Sequence, residues 1–573
     1  MNVINKIVTS KYGWLLLLLA LVGINYMASL MHARFDLTKE KRYTLSKATK
    51  ALVNSLDDKV QIDVFLKGEF PAGFRKLANT TKEFLALLKD RNGAKVSYQF
   101  ISPTDETADG KLWGDSLVRM GAVPINLTVQ KKAGESSNII FPVAIMRYKG
   151  KQSLVNLYPG ANGRISQEEI NSAEALMEYQ FAKTLDKIAA NKKTGIAYAT
   201  GNGEPINEKA YDISQTLGYE YDFRMLNLKE QPKVPDAVKL LLIVKPIKQF
   251  SEQELIKIDQ FIMNGGKLLC FIDNLIAEQD SLAIKPETIA YDRNLGLTEL
   301  FFKYGVRINP DLVMDLQCDV IPIVVGGSME KPQMEFLHWN YYPVLTASGA
   351  LNKSMGYVAG RFVNSIDTIA AKGIKKTPLL ISSANARKIS TPALISLNEN
   401  KDAPEDAKFK TNAIPVAMLL EGKFNSGFQN RLSKAQLDTL AAAGLTFKNT
   451  SPENKIVIVA DGDIVLNDVM PETGPIPMGW NKFTYREYQQ QTENGKLFLP
   501  VANRDFLQNC VELLVNNPAI SETRNKDIVL RLLDSKKVNA QQSTWQFINI
   551  ALPILLIILF GWVYQQIRKR KYA

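Results

Sequence analysis

Three short stretches carry residue types that could do chemistry. Gly201-Asn202-Gly203-Glu204 directly follows the apolar run Gly195–Thr200. A glycine loop after a first strand is where doubly wound folds cradle phosphates, since free backbone N–H groups there attract anions. The loop is shorter than G-x-G-x-x-G, and Glu204 repels phosphate, so a turn required by chain geometry fits it better. Asp461-Gly462-Asp463, with Asp468 nearby, follows the run Ile456–Val459. Carboxylates at strand C-termini can hold Mg²⁺ or Ca²⁺, although Asp-Gly is equally a turn sequence. The third stretch holds Phe336, Trp339, Tyr341 and Tyr342 in polar, Gly-containing surroundings that read as an exposed loop. It is either a binding surface or a local packing cluster.

Other chemistry is short of material. The chain of 573 residues has 2 histidines and 3 cysteines. His32 falls at the edge of an apolar run, and His338 falls among the aromatics. A Ser-His-Asp triad or a His-rich metal site needs more imidazole than this. Cys270 lies inside an apolar strand pattern and reads as a packed small hydrophobe; Cys318 and Cys510 leave room for one bridge at most. The P-loop signature, H-E-x-x-H and the G-x-S-x-G elbow do not occur. We therefore expect no catalytic, cofactor-binding or metal-ligating residues and no cofactor. An envelope hydrolase using Asp461, Asp463 and Glu204 around a divalent metal is the enzymatic alternative, and a cell-wall or glycan-binding scaffold using residues 336–342 is the other.

The elements that must position these residues are legible from periodicity. Thr44 and Ser46 are candidate caps for an amphipathic helix carrying Leu45, Ala48, Leu52 and Leu56. A strand at Val60–Leu66, a helix at Phe74–Lys89 and a strand at Lys95–Ile101 make a βαβ unit. Runs at Ile125–Gln130, Ile139–Tyr148 and Ser153–Leu157 add antiparallel strands. A helix over Ser166–Ala190, opened by the capping-box sequence SQEE, leads to a second region. There the strand at 195–200, a helix at Lys209–Gly218, strands at Tyr221–Leu226 and Val238–Val244, and the unit SEQELIKIDQFIMNGGKLLCFID follow. Continuous apolar strands alternating with helices predict a parallel sheet covered on both faces. Pro378–Ile381, Ile414–Leu420 and Ile456–Val459 read as later members of that sheet, and a helix spans Arg504–Val515.

Both ends of the chain are apolar. Tyr12–Met31 and Trp545–Tyr564 each run 20 residues without a charge. A helix of that length spans roughly 30 Å, the thickness of a bilayer core. Lys6 and Lys11 precede the first, and Arg568, Lys569, Arg570 and Lys571 follow the second. By the positive-inside rule both termini face the cytoplasm. A cleaved signal peptide with its apolar core at Trp14–Ile24 is the alternative for the first. The expected layout is a cytoplasmic segment at 1–11, a span at 12–31, a first α/β domain at 34–165, a second α/β region with insertions at 166–535, a span at 545–564 and a basic cytoplasmic tail at 565–573. The net charge of +12 comes in large part from the six flanking residues. The rest is weakly basic, unlike a nucleic-acid binder with its concentrated patch.

The opening RFDLTKEKRYTLSKATK after the first apolar run resembles the start of the GldG family, auxiliary proteins of ABC transporters linked to bacterial gliding motility. ATGNGEP after a strand, the SEQELIKIDQFIMNGGKLLCFID unit, NLGLTELFFKYGVRINPDLVMD, the ADGD turn, RNKDIVLRLLD and the C-terminal apolar run extend the resemblance over nearly the whole chain. The resemblance implies an inner-membrane protein with its bulk in the periplasm, a partner permease and a partner ATP-binding subunit, a possible cell-envelope ligand, and no nucleic acid. It also implies a sheet similar to class I glutamine-amidotransferase domains without their catalytic residues. Members often have His where this chain has Asn202, so no activity resting on that His carries over.

Overall fold

The structure, a computed structural model, describes residues 44–107, 110–122, 124–131, 134–158, 167–190, 192–282, 285–328, 330–349, 351, 355–399, 406–485, 501–521, 523 and 535–572, with 18, 19, 21–23 and 25 near the start. Most of the expected first span, and Ser166 at the start of the SQEE box, lie outside these residues.

The first unit of the chain, Met1–Lys526, holds two sheets that matter here. In the smaller one, Val60–Val64 pairs in parallel with Val96–Phe100 and antiparallel with Val143–Tyr148, which pairs with Lys151–Asn156. The helices Ala72–Arg91 and Gln167–Ala189 cover it. Ser46 caps the helix Lys47–Asn54, its side chain accepting from the Thr49 N–H. The helix Gln167–Ala189 has two working faces. Ile170, Ala173, Met177, Phe181, Leu185 and Ile188 recur at helical spacing and sit in the core of this first domain. Leu176, Tyr179 and Lys183, on the opposite side, border a groove toward the next domain. The helix thus packs with the residues before it, although the expected boundary at 165 assigns it to those after.

The larger sheet has ten strands. Asp222–Asn227, Gly195–Thr200, Val238–Val244, Lys267–Phe271 and Thr450–Val459 run parallel, in that spatial order. Beyond them Pro415–Asn425, Ile374–Ile381, Pro332–Ala347 and Cys318–Gly327 continue the sheet antiparallel, with Tyr357–Ala359 beside the third of these. The helices Tyr211–Glu220 and Asn503–Val515 pack on one face, and Glu252–Met263 and Thr298–Tyr304 on the other. The parallel arrangement expected throughout therefore holds for half the sheet only. Parallel neighbours need a long crossover, whereas strands such as Cys318–Gly327 and Pro332–Ala347, joined by a tight turn, can pair only antiparallel. The helix Glu252–Met263 starts at a full capping box between Ser251 and Glu254, as its sequence predicts.

The aromatic stretch is not a loop. It lies in the strand Pro332–Ala347, with Trp339 and Tyr341 fully buried, Tyr342 nearly so, and only Phe336 facing out. The Trp339 ring lies 5.3, 4.9 and 5.6 Å from those of Tyr341, Tyr342 and Phe362. Its Nε1 donates to the Ser396 carbonyl at 3.2 Å. A binding surface built from these four residues is ruled out for three of them, because their area is already spent on the core.

The second unit, Asp527–Ala573, contains the helix Ser535–Tyr572 with Pro553 inside it. Among the described residues one helical segment, Gln541–Arg570, is long and apolar enough to cross a membrane.

Candidate functional site

Four parallel strands end at one edge of the large sheet, and each delivers polar residues there. Gly195–Thr200 leads into Gly201–Glu204, Val238–Val244 into Lys245, Lys267–Phe271 toward Asp273, and Thr450–Val459 toward Asp461 and Asp463. The strand Gly195–Thr200 sits between its own successor and Val238–Val244, so the winding reverses there. Open α/β sheets bind ligands at this edge and at such a reversal.

The glycine loop at the reversal is tied inward. Gly201 and Gly203 have φ of +117° and +83°, and a Cβ on Gly203 would lie 2.3 Å from Ile247 Cγ1. The Asn202 carbonyl accepts from the Ile247 and Lys248 N–H groups at 2.9 and 2.8 Å. Its side-chain Nδ2 donates to Glu254 Oε1 at 2.8 Å, and its own N–H donates to Glu204 Oε2 at 2.7 Å. Asn202 is fully buried and Glu204 is 5% exposed. Burial, with Glu254 close by, pushes the Glu204 carboxyl above the usual range. The chain itself occupies the place where a phosphate would approach, and a carboxylate takes the N–H a phosphate would use.

The neighbouring strand ends form a charge cluster. Lys245, at φ +43°, places Nζ 2.9 Å from Asp273, 2.8 Å from both Asp463 oxygens and 3.1 Å from Glu278. Glu278 also takes Arg293 at 2.7 Å. Asp461, fully buried, accepts from the Asp463 N–H at 2.7 Å and the Arg361 N–H at 2.8 Å, while Asp273 accepts from the Gly462 N–H. Arg361 grips Asp468 with two bonds of 2.7 and 3.0 Å. Oxygens of Asp273, Asp461 and Asp463 lie within 4.8 Å of one another, close enough to share a cation. The Lys245 ammonium supplies positive charge at that spot. Burial opposes its charge, but Asp273, Asp463 and Glu278 outweigh burial and hold its pKa well above the ordinary value. Burial and the crowding of like charges push Asp461 well up, and push Asp273 to about 6 despite Lys245.

This arrangement is poor in reactive groups. A lysine nucleophile or base needs a depressed pKa, and Lys245 has the reverse. The Cys270 thiol is fully buried and burial pushes it up, away from thiolate. His338 sits in the strand Pro332–Ala347 with Nδ1 2.9 Å from the Cys318 carbonyl, and His32 lies outside the described residues. Of the residues read from the sequence, Asp461 and Asp463 come together, Glu204 serves a separate loop, and Asp468 pairs with Arg361. Sequence reasoning missed Lys245, Asp273, Glu278 and Arg361. A signal existed for the first two: each is a charged residue placed within two positions of the end of a buried strand.

The fold and this edge define a mixed α/β protein with a cluster of paired charges at the ends of its parallel strands. Residues 193–510 match the family described as "ABC-type uncharacterized transport system" (ABC_transp_aux), and residues 39–147 match a domain of unknown function, DUF7088. The first match covers more than half of the chain, and the protein belongs to that ABC transport auxiliary family. An uncharacterized protein of Borreliella burgdorferi is 24% identical over 442 residues, 74% of this chain and 80% of that one. Among solved structures, the mmIFT52 N-terminal domain is similar with a TM-score of 0.31 and 10% identity, over 56% of this chain and 98% of that one. The exo-beta-1,4-mannosidase Op5Man5 from Opitutaceae bacterium strain TAV5 reaches a TM-score of 0.20 at 10% identity, over 83% of this chain and 55% of that one. Likenesses this weak have no bearing on function.

Proposed function

We propose that the protein is a non-enzymatic auxiliary subunit of an ABC transport system, working beside a permease and an ATP-binding subunit in the bacterial inner membrane. The observation that carries this is the closed strand edge: within a family named for transport, the place where such a sheet would bind substrate is filled by Lys245 and its carboxylates. In this proposal the helix Gln541–Arg570 and the apolar run at 12–31 are two anchors, both termini are cytoplasmic, and the bulk is periplasmic. ATP is hydrolysed by the partner, and the anchors carry the coupling. The parallel half of the sheet, wound about the strand Gly195–Thr200, supports a glutamine-amidotransferase-like ancestry without its chemistry. The domain division falls near residue 190, after the helix that completes the first core. The GldG assignment and a gliding output rest on the sequence resemblance alone.

The test is purification of the tagged full chain in mild detergent. Co-purification of a permease and a nucleotide-binding subunit, with ATPase activity that follows the latter, is expected; recovery as a lone monomer overturns the assignment. Protease added to cells with a permeabilised outer layer should digest the body, and an untouched body overturns the topology. Unchanged surface movement after deletion of the gene removes gliding from the proposal.

A further inference from the structure

A groove of about 700 Å³ opens between the helices Gln167–Ala189, Tyr211–Glu220 and Asn503–Val515. That volume is in the range of sites for small molecules. Charged residues in its walls are matched to one another: Lys183 to Glu512 at 2.7 Å, Lys187 to Glu220 at 2.5 Å, and Arg504 to Asp212 at 2.7 Å. Asp505 breaks the pattern. It lines the groove, and among the described residues its carboxylate makes neither a hydrogen bond nor an ion pair. Gln180, 6% exposed in the same wall, holds its Oε1 without a donor. The Gln180 oxygen is a buried acceptor in want of a donor, which costs roughly 1–3 kcal/mol, while Asp505 is half-buried and open to the groove. Trp480 and the half-exposed Tyr219 add aromatic surface to the lining, which suits the apolar face of a polar solute or a cation.

We propose that this groove binds a small polar solute bearing a protonated amine, whose ammonium pairs with Asp505 while its body lies along the aromatic wall. The proposal deepens the transport reading by naming a solute class. The two fail separately, because partner co-purification does not depend on the groove and solute binding by the isolated chain does not depend on partners. The matched charges explain the selectivity. An anion would find the cations Lys183, Lys187 and Arg504 already committed, whereas a cation finds one free carboxylate.

The experiment is calorimetric titration of the full chain in detergent with two matched probe pairs. One pair is the β-1,4-linked glucosamine disaccharide and cellobiose, the same skeleton with and without amines. The other is the dipeptide Gly-Lys and its Nα,Nε-diacetylated form. We expect at least one amine probe to bind at least tenfold more tightly than its neutral counterpart, and Asp505→Asn to remove that preference with a cooperative thermal transition no lower than that of the wild type. Trp480→Ala is expected to weaken the amine probe and its counterpart alike. Failure of both amine probes to bind, equal binding within each pair, or an undiminished preference in Asp505→Asn overturns the proposal.

Discussion

The strand edge and the helix groove lie in the same unit and are both rich in charge, yet they are finished differently. At the edge, Lys245 meets Asp273, Asp463 and Glu278, and Arg361 meets Asp468, so each cation is consumed by the carboxylates around it. In the groove the same matching runs through Lys183, Lys187 and Arg504 but stops short of Asp505. Desolvated charges persist only when paired. An edge where every cation is held by carboxylates is a brace, and a groove wall that leaves Asp505 and Gln180 Oε1 without donors has capacity for something else. The location that α/β folds commonly use for ligands is here taken up by ion pairs, so fold habit alone does not single out a ligand site.

The contrast can be broken by mutation, the largest effect first. Lys245→Met leaves Asp273, Asp463 and Glu278 without their ammonium and should destabilise the full chain by about 3–5 kcal/mol, the usual result of removing one partner from a buried pair. Unfolding by urea measures it, and an unchanged midpoint would mean the edge is not a brace. Glu512→Gln removes the partner of Lys183 and Lys187 and should cost about 2–4 kcal/mol at pH 7.

The pH dependence of Glu512 has a definite sign. Burial works against its charge, but Lys183, Lys187 and the Tyr179 hydroxyl hold the carboxyl down to about 2. Its stabilising contribution is complete above the ordinary glutamate value and is lost as pH falls toward 2. The variant should therefore lose less stability than the wild type over that acid range. A parallel loss in both proteins would mean that Glu512 is not the paired carboxylate.

Asp505 should behave in the opposite way. Burial, with Glu512 adding repulsion against the opposing pull of Arg504 and Lys183, pushes its carboxyl up to about 6. Such a group favours the fold most below the ordinary aspartate value and loses that contribution as pH rises to about 6. Asp505→Asn should therefore be stabilising at pH 7, by roughly 1–3 kcal/mol, with no gain at pH 3. A destabilised variant would show that Asp505 has a partner after all, and the two regions would then be alike. The smallest effect concerns metal. Millimolar Mg²⁺ or Ca²⁺ should leave the wild-type thermal transition within about 1 °C, because the ammonium already supplies the positive charge, and should raise that of Lys245→Met by more. A large shift in the wild type would turn the edge into a cation site.

Local sequence was sufficient for much of the scaffold. Ser251 and Glu254 sit three apart ahead of an apolar stripe, and they form the capping box that the spacing demands. The run WQFINIALPILLIILFGWVY lies within one long helix, since an uncharged apolar stretch needs no partner to declare itself. The scarcity of histidine and cysteine limits the chemistry by composition alone.

Other features depended on residues far apart in the chain. Apolar alternation is the same in a parallel and an antiparallel strand, so the direction of Pro415–Asn425 against Thr450–Val459 was not written locally. Trp339, Tyr341 and Tyr342 sit between glycines and charges that look like a loop, and only packing against Phe362 and the Ser396 carbonyl put them inside. Lys245 and Asp463 are 218 positions apart, and the carboxylate cluster became a brace only when the sheet set their strands' ends side by side. Residue type and spacing determined which elements exist and which catalytic motifs do not occur in the chain. Tertiary structure alone decided which charges are spent on each other and which one is left over, because pairing is a property of distance in space and distance along the chain does not encode it.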